Sequence, residues 1–440
     1  MPSSSSGTLD VPGAGITDGA LADTRLGNGV RVLSEHMPGV RSVSTGVWVR
    51  HGAAHDPTEH AGASHLLEHM VFKGTRRRSA REIALSLESL GGSLDAYTSR
   101  EHTSYQARVL DQHLSQALDV LSDLVLDPLL REEDLERERE VILEEIAEVE
   151  DTPDDLVFEL HEARLWGDHP YGRSILGTSA SVEAMPGDAL RGLHDRAYRG
   201  QNLVVAAAGN VDHEAFVRQV EAHFGALPAG SAPEAARPPG RPGSGDERVH
   251  RDTAQTHLVL GTALPGHSDP LRYGLVLLSS ALGDGMSSRL FQRVREELGL
   301  CYSVYTYQSF YSAAGVGGVY VGTRSATAAE AVDVVLEELA RVARDGLAPH
   351  ELDQVRQQVK GQVMLSLEST GARLHRLTAF ALHDEPFLGL DDLLGRLDAV
   401  TDEEVSVLAG RYFDPTRQLI TRLGPSDGSR GLDEGAAGSL

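Results

Sequence analysis

The sequence predicts an α+β fold of two homologous α/β-sandwich domains, each a mostly antiparallel sheet packed with helices. Three observations support this prediction. A segment rich in Pro, Gly and Ala, residues 227–247, divides the chain into two parts of about 200 residues, the size of ordinary domains. Both parts show strand and helix patterns in the same order. The segments 117–140 and 331–359 also place Asp and Leu similarly, which indicates an internal duplication.

The first part begins with strand signals around Asn28 and Gly29, a dipeptide typical of a β-hairpin turn. "SVSTGVWVRHG" follows as a strand, because β-branched and small residues alternate along it. Apolar residues at helical spacing then predict a series of helices, and short apolar runs predict further strands. The predicted helices are 62–73, 79–91, 112–126 and 131–150, and the predicted strands are 94–99, 102–110 and 202–210.

The second part repeats this order, starting with a strand at 257–264 and helical stretches to about 298. The strands 302–309 and 315–323 and the helices 326–344 and 349–370 follow. Aligning Leu135 with Leu352 places Gln362 opposite Glu145. The expected boundaries are a disordered tail at 1–24, a first domain at 25–226, a linker at 227–247, a second domain at 248–425 and a flexible tail at 426–440.

Composition narrows the function classes. Asp and Glu number 65 against 40 Lys and Arg, a formal net charge of -25, which argues against nucleic-acid partners. Cys301 is the single cysteine, so an intrachain disulfide is excluded and a reducing compartment is favoured. No segment reaches the ~20 apolar residues of a membrane span, and the start lacks a secretory pattern. We expect a bacterial, cytoplasmic protein without a membrane partner.

The stretch "SHLLEHMVFKGT" carries the chemistry. His65 and His69 stand one helical turn apart, so both imidazoles face the same way, with Glu68 beside them. Two imidazoles and one oxygen ligand suit tetrahedral zinc. The alternative is a pair of surface histidines on an amphipathic helix. However, the histidines interrupt an apolar run, where an unpartnered imidazole is costly to bury and a metal would satisfy both.

Such a site needs a third ligand, and the acidic helix predicted at 131–150 offers many. Glu138 and Glu145 share a face of that helix beside its apolar stripe, so either can reach inward. Spacing alone does not choose between Glu138, Glu144 and Glu145. Most other acids of the helix are expected to be solvated.

Three motifs in this order, "GASHLLEHMVFKGT", "LDAYTSREHTSY" and "EREREVILEEIAEVED", resemble the pitrilysin/insulinase family of zinc peptidases. The inverted pentad His-x-x-Glu-His is the signature of such enzymes. Within the family, the motifs resemble those of the catalytic β subunit of mitochondrial processing peptidase and its one-chain bacterial relatives. The resemblance extends from about Arg25 to Gly424 and includes "HPYGRSILGT".

The resemblance implies one zinc ion per chain, held by His65, His69 and Glu145. Glu68 would be the catalytic base that takes a proton from the attacking water. Glu138 matches an acid of the family that supports catalysis without binding the metal.

The resemblance also implies substrate-binding residues. Arg295 and Tyr302 match a pair expected to contact the substrate backbone or stabilise the transition state. The strand that carries Asp95 and Ala96 would bind the peptide as an added strand. Family members commonly have Asn where this chain has Asp95, so the amide donor is lost there.

The resemblance implies an endopeptidase that acts on unfolded peptides inside a chamber. An acidic chamber, in line with the negative net charge, would favour basic peptides. Family members enclose the substrate between two halves, each about the length of this chain, so the chain would form half of a clamshell. A homodimer, or a heterodimer with an inactive homologue, would close it. The alternative is a catalytically silent assembly or scaffold subunit of the same family. Such subunits lose parts of the zinc motif, which is complete here.

Overall fold

The structure is a computed structural model that describes residues 20–232 and 237–425. The remainder of the predicted tails, 1–19 and 426–440, lies outside the described residues. The strands are β1 (Ala20–Arg25), β2 (Arg31–His36), β3 (Ser42–Val49), β4 (Ser93–Thr98), β5 (Thr103–Leu110), β6 (Leu203–Gly209), β7 (Gly245–His250), β8 (Thr256–Leu264), β9 (Cys301–Phe310), β10 (Gly315–Thr323) and β11 (Leu419–Gly424). The helices are α1 (Ala63–Val71), α2 (Ala80–Glu88), α3 (Leu114–Leu126), α4 (Glu132–Asp151), α5 (Pro153–Trp166), α6 (Ser179–Glu183), α7 (Gly187–Ala197), α8 (His213–Phe224), α9 (Arg272–Gly283), α10 (Ala328–Asp345), α11 (Pro349–Ser366), α12 (Thr370–Leu382), α13 (Leu390–Asp398) and α14 (Asp402–Tyr412).

The first sheet has the strand order β1-β2-β6-β3-β5-β4. Its pairs are antiparallel except for β2 with β6. The hairpin predicted at Asn28 and Gly29 is confirmed, because β1 and β2 pair on either side of it, from Arg25 with Arg31 outward. The helices α1 to α4 and α6 to α8 bury their apolar sides against this sheet in one continuous core. None of the helices in the described ranges could span a lipid bilayer.

The second sheet repeats the first. Its order is β7-β11-β8-β10-β9, and its one parallel pair is β7 with β11. Without β1, the first sheet reads β2-β6-β3-β5-β4, so each strand has a counterpart in chain order. Gln362 of α11 donates a hydrogen bond to Asp284, directly after α9, much as Glu145 of α4 faces α1. The predicted fold class, two homologous sandwiches with mostly antiparallel sheets, is confirmed.

The two domains exchange helices. The helix α5 follows α4 in the first part but packs on β8 and β11 of the second sheet, through Leu156 and Val157. Its counterpart α12 packs on β2, β3 and β6 of the first sheet, through Leu374 and Leu377. Each sheet is therefore covered on one face by its own helices and on the other by a helix from the other part of the chain.

Two predicted boundaries are wrong. The tail expected at 1–24 includes a strand, because β1 starts at Ala20 and pairs along the whole of β2. The linker expected at 227–247 ends earlier, because β7 starts at Gly245 and pairs with β11. Both strands lie at sheet edges and have polar sequences, "ALADTR" and "GDERVH", so neither shows the apolar pattern by which a strand is recognised.

Candidate metal centre

The helix α1 has an apolar face that is buried in the core and a second face that carries two histidines. Leu66, Leu67 and Met70 are almost completely buried and pack into the core of the first domain. His65 and His69 occupy the remaining face, which is turned towards α4, and their side chains are 12% and 19% exposed. The apolar residues therefore fix the rotation of α1, and this rotation brings both imidazoles to α4.

Glu145 of α4 completes a group of three ligand atoms. Its two carboxylate oxygens lie 3.7 Å from His65 Nε2 and 3.6 Å from His69 Nε2. One ligand atom from each residue lies within 4.8 Å of the other two, and in the described residues this is the one such group of three or more His, Cys, Asp or Glu.

The donor set fits zinc. Ligand atoms around a tetrahedral zinc ion, at about 2.0–2.1 Å from the metal, are separated by about 3.4 Å. The carboxylate-to-imidazole distances of 3.6 and 3.7 Å are close to this value and too long for hydrogen bonds. Burial, together with the neighbouring His69, lowers the pKa of His65 to about 4. His65 is therefore neutral at pH 7, which is the form that binds a metal.

Glu138 contacts the ring nitrogen of His69 that points away from Glu145. Its Oε2 lies 3.3 Å from His69 Nδ1, and its Oε1 lies 2.8 Å from Lys73 Nζ. A carboxylate on the outer nitrogen of a histidine fixes the orientation of the ring. The structure thus brings Glu145 into the group of three ligand atoms and leaves Glu138 outside it, while Glu144 is exposed.

Glu68 lies beside the histidines with 8% of its surface exposed. Its Oε2 accepts a hydrogen bond of 2.6 Å from the hydroxyl of Thr98, at the end of β4. Burial raises the pKa of Glu68, and the charge of Glu145 adds to this effect, while the Thr98 hydrogen bond and His69 oppose it. The carboxyl group is thus held close to the candidate metal ligands without joining them.

Asp95 and Ala96 lie on β4, the edge strand of the first sheet. They pair with Gln106 and Tyr105 of β5 on one side. The other side of β4 has no partner strand among the described residues. The strand β4 contacts α1 and ends at Thr98, which bonds to Glu68, so the strand leads to the candidate metal centre.

Arg295 and Tyr302 lie together in the second domain. Arg295 is in the π-helical segment Phe291–Glu297, and its guanidinium lies 5.6 Å from the centre of the Tyr302 ring. Tyr302 is 78% exposed at the start of β9, the edge strand of the second sheet. Within the described residues, no hydrogen bond or ion pair joins either side chain to His65 or His69.

Sequence reasoning missed Thr98 and Lys73. Thr98 lies within "LDAYTSR", but its contact with Glu68 joins residues thirty positions apart, and no local pattern reports it. Lys73 follows His69 by four residues, the spacing of helical neighbours, and is one of two lysines in the chain. This spacing could have indicated that Lys73 lies beside His69, where both side chains contact Glu138.

Two family models match the chain. The model described as "Insulinase (Peptidase family M16)" matches residues 31–179, and "Peptidase M16 inactive domain" matches residues 185–359. Together they cover more than half of the chain, so the protein belongs to the insulinase, or M16, peptidase family. The second match begins before β6, a central strand of the first sheet, so the boundary between the models differs from the structural one.

Similar proteins span almost the whole chain. An uncharacterized zinc protease of Streptomyces coelicolor is 42% identical over 414 residues, covering 92% of this chain and 90% of that protein. The uncharacterized zinc protease YmxG of Bacillus subtilis is 41% identical over 389 residues, covering 88% and 94%.

Solved structures show the same fold. A peptidase M16 inactive domain from Pseudomonas fluorescens superposes with a TM-score of 0.86 at 23% identity, covering 92% of this chain and 98% of that one. A protease from Helicobacter pylori has a TM-score of 0.84 at 21% identity, covering 93% and 100%. At these identities the likeness supports the fold alone.

Proposed function

We propose that the protein is a zinc-dependent endopeptidase of the bacterial cytoplasm that hydrolyses unfolded peptides. The observation that carries this proposal is the group formed by His65, His69 and Glu145, with the Glu68 carboxyl group beside it. The family membership and the relatives named as zinc proteases agree with this chemistry.

In this mechanism His65, His69 and Glu145 hold the metal, and Glu138 keeps the His69 ring in place. When bound, zinc polarises the scissile carbonyl and acidifies water. Glu68 accepts a proton from the attacking water, whose oxygen forms a bond to the carbonyl carbon. The carbon–nitrogen bond then breaks, and Glu68 returns the proton to the leaving amine.

The peptide would bind along β4, whose open edge runs to Glu68. Backbone hydrogen bonds to the strand would hold the substrate in an extended form, and an unfolded segment has the free backbone groups that these bonds need. Asp95 is exposed on this strand and adds a negative charge, consistent with a preference for basic peptides.

The exposed Tyr302 and the half-buried Arg295 beside it would contact the peptide elsewhere in an enclosed chamber. Because these residues lie on the second domain, we propose that two copies of the chain, or one copy and an inactive homologue, close around the substrate. The complete donor group argues against a catalytically silent scaffold.

Zinc content and peptide cleavage test the proposal together. The purified chain should contain about one zinc ion per chain and cleave an internally quenched basic peptide. 1,10-phenanthroline should abolish cleavage, and added zinc should restore it after the chelator is removed. A chain that binds no zinc would contradict the proposal. A chain that binds zinc but cleaves only after a second family member is added would support the heterodimer over the homodimer.

A further inference from the structure

The two histidines are oriented by different contacts. His69 Nδ1 faces the carboxylate of Glu138 at 3.3 Å, which holds its ring from behind. His65 Nδ1 is buried, and no hydrogen-bond partner for it is present in the described residues. The direction of the His65 ring therefore depends on where the backbone of the first turn of α1 places it.

This first turn has an unusual start. Gly62, which precedes α1, has the left-handed backbone conformation, with φ of 90°, and offers no side-chain cap. A Cβ atom at this position would lie 2.4 Å from the carbonyl oxygen of Leu176, so the tight approach of that loop requires glycine. The helix that carries both histidines thus begins without the Ser, Thr, Asp or Asn that usually accepts hydrogen bonds from the first turn.

Asp56 supplies the missing acceptor from outside the helix. Its Oδ2 accepts a hydrogen bond of 3.0 Å from the backbone N–H of Ser64, and its Oδ1 accepts one of 2.6 Å from the Ser64 hydroxyl. Asp56 is only 2% exposed. A buried carboxylate at a helix N-terminus is also stabilised by the helix dipole. Both bonds end on Ser64, the residue directly before His65.

The loop that carries Asp56 is itself held. Arg173 donates a hydrogen bond of 2.8 Å to the carbonyl oxygen of Asp56, and His51 Nε2 lies 3.8 Å from its carboxylate. These contacts hold the Asp56 carboxylate in place, and its hydrogen bonds to Ser64 then hold the first turn of α1.

We propose that Asp56 is a positioning residue of the metal centre, which fixes the first turn of α1 through Ser64 so that His65 meets Glu145. This inference rests on the proposed zinc site. Asp56 would orient His65 through the helix backbone, whereas Glu138 orients His69 by direct contact with its ring.

The test compares zinc affinity in Asp56→Ala, Ser64→Ala and Asp212→Ala. Asp212 is the control for a lost helix cap: it is exposed, and its side chain caps α8 by accepting a hydrogen bond of 2.8 Å from the N–H of Ala215, away from the metal centre. Dissociation constants come from competition with a chromophoric zinc chelator, and the Co²⁺-loaded proteins give absorption spectra that report coordination geometry. Urea unfolding measures the stability of each variant.

Asp56→Ala should bind zinc about 10–100-fold more weakly, the usual effect of removing a group that orients a metal ligand. Ser64→Ala, which loses only the 2.6 Å bond, should show a smaller loss. Asp212→Ala should lose stability but bind zinc as the wild type does. Equal zinc affinity in Asp56→Ala and Asp212→Ala, at similar losses of stability, would overturn the inference.

If Asp56→Ala does not fold, the zinc affinity of Ser64→Ala becomes the test. A wild-type affinity in that variant would overturn the inference. Failure of the wild-type chain itself to bind zinc would overturn the proposed function as well. The two failures are therefore distinguishable.

Discussion

The hydroxyl of Thr98 donates a hydrogen bond of 2.6 Å to Oε2 of Glu68. The contact joins the last residue of the edge strand β4 to the proposed catalytic base on α1. One side chain therefore sets the position of Glu68 relative to the strand on which the peptide is proposed to lie. Misplacement of a catalytic group by about 1 Å can cost 10²-fold in rate, so this contact should matter for turnover.

Replacing Thr98 with Val keeps the shape of the side chain but removes the donor. We expect Thr98→Val to lower kcat about 10–100-fold, since hydrogen bonds to charged groups contribute about 1.5–3 kcal/mol. KM and zinc content should change little. Thr98→Ser retains the hydroxyl and is the control. Steady-state kinetics of both variants measure the effect, and equal kcat values for Val and Ser would exclude a role for this bond.

Glu68→Gln tests the proposed base separately from the candidate metal ligands. Because Glu68 lies outside the group of three ligand atoms, the variant should keep its zinc. Hydrolysis should fall by about 10²–10⁴-fold, the usual contribution of a general base. Metal analysis and peptide cleavage on the same sample check both parts. Undiminished turnover would show that another group takes the proton.

Glu145→Gln and Glu144→Gln test which acid binds the metal. Glu145 contacts both histidines, whereas its neighbour Glu144 is exposed. We expect the Glu145 variant to lose zinc and the Glu144 variant to keep both zinc and activity. Metal content after dialysis is the measurement. A zinc-replete Glu145→Gln protein would mean that the third ligand is a different residue.

Arg373→Met should destabilise the protein by about 3–5 kcal/mol, because it removes one partner of a buried ion pair. Arg373 lies on α12 and forms a buried ion pair with Glu35 on β2, so the pair links the exchanged helix to the first sheet. Arg344→Met is the control, since its ion pair with Asp345 is solvent-exposed, and it should reduce stability much less than Arg373→Met does. Urea unfolding compares the two variants, and equal losses would show that the buried pair is not critical.

His161 should make the stability of the protein depend on pH. It is fully buried on α5, next to Thr421 of β11, and burial lowers its pKa to about 3. The unfolded chain binds the proton near pH 6.5, whereas the folded protein does so only near pH 3. Stability is therefore full above pH 6.5 and falls between pH 6.5 and 3.

A His161→Gln variant lacks this titration. Below pH 6.5 the wild type should lose up to about 1.4 kcal/mol per pH unit more than the variant. Free energies of unfolding at pH 7.5, 6.5 and 5.5 measure this difference. Parallel pH profiles would mean that His161 is protonated in the folded protein as readily as in the unfolded one.

Local spacing was sufficient for much of this protein. His65 and His69 could be placed on one helix face, because the two residues are one turn apart. In the first part, four of the eight helices that the structure describes and most of the strands could be located, whereas α5 to α8 were not predicted. The duplication was also visible, since it repeats a pattern along the chain. The edge strands β1 and β7 were not predicted, because their sequences are polar. A strand with one solvated side does not need alternating apolar residues.

The tertiary structure decided what depends on residues distant in the chain. Glu138, Glu144 and Glu145 have the same side chain and lie on the same helix, and only the packing of α4 against α1 brings Glu145 to the histidines. The same holds for the contact of Thr98 with Glu68 and for the exchange of α5 and α12 between the sheets. Periodicity determines which face of an element is buried, but the partner that the face meets is set by the packing of the whole chain.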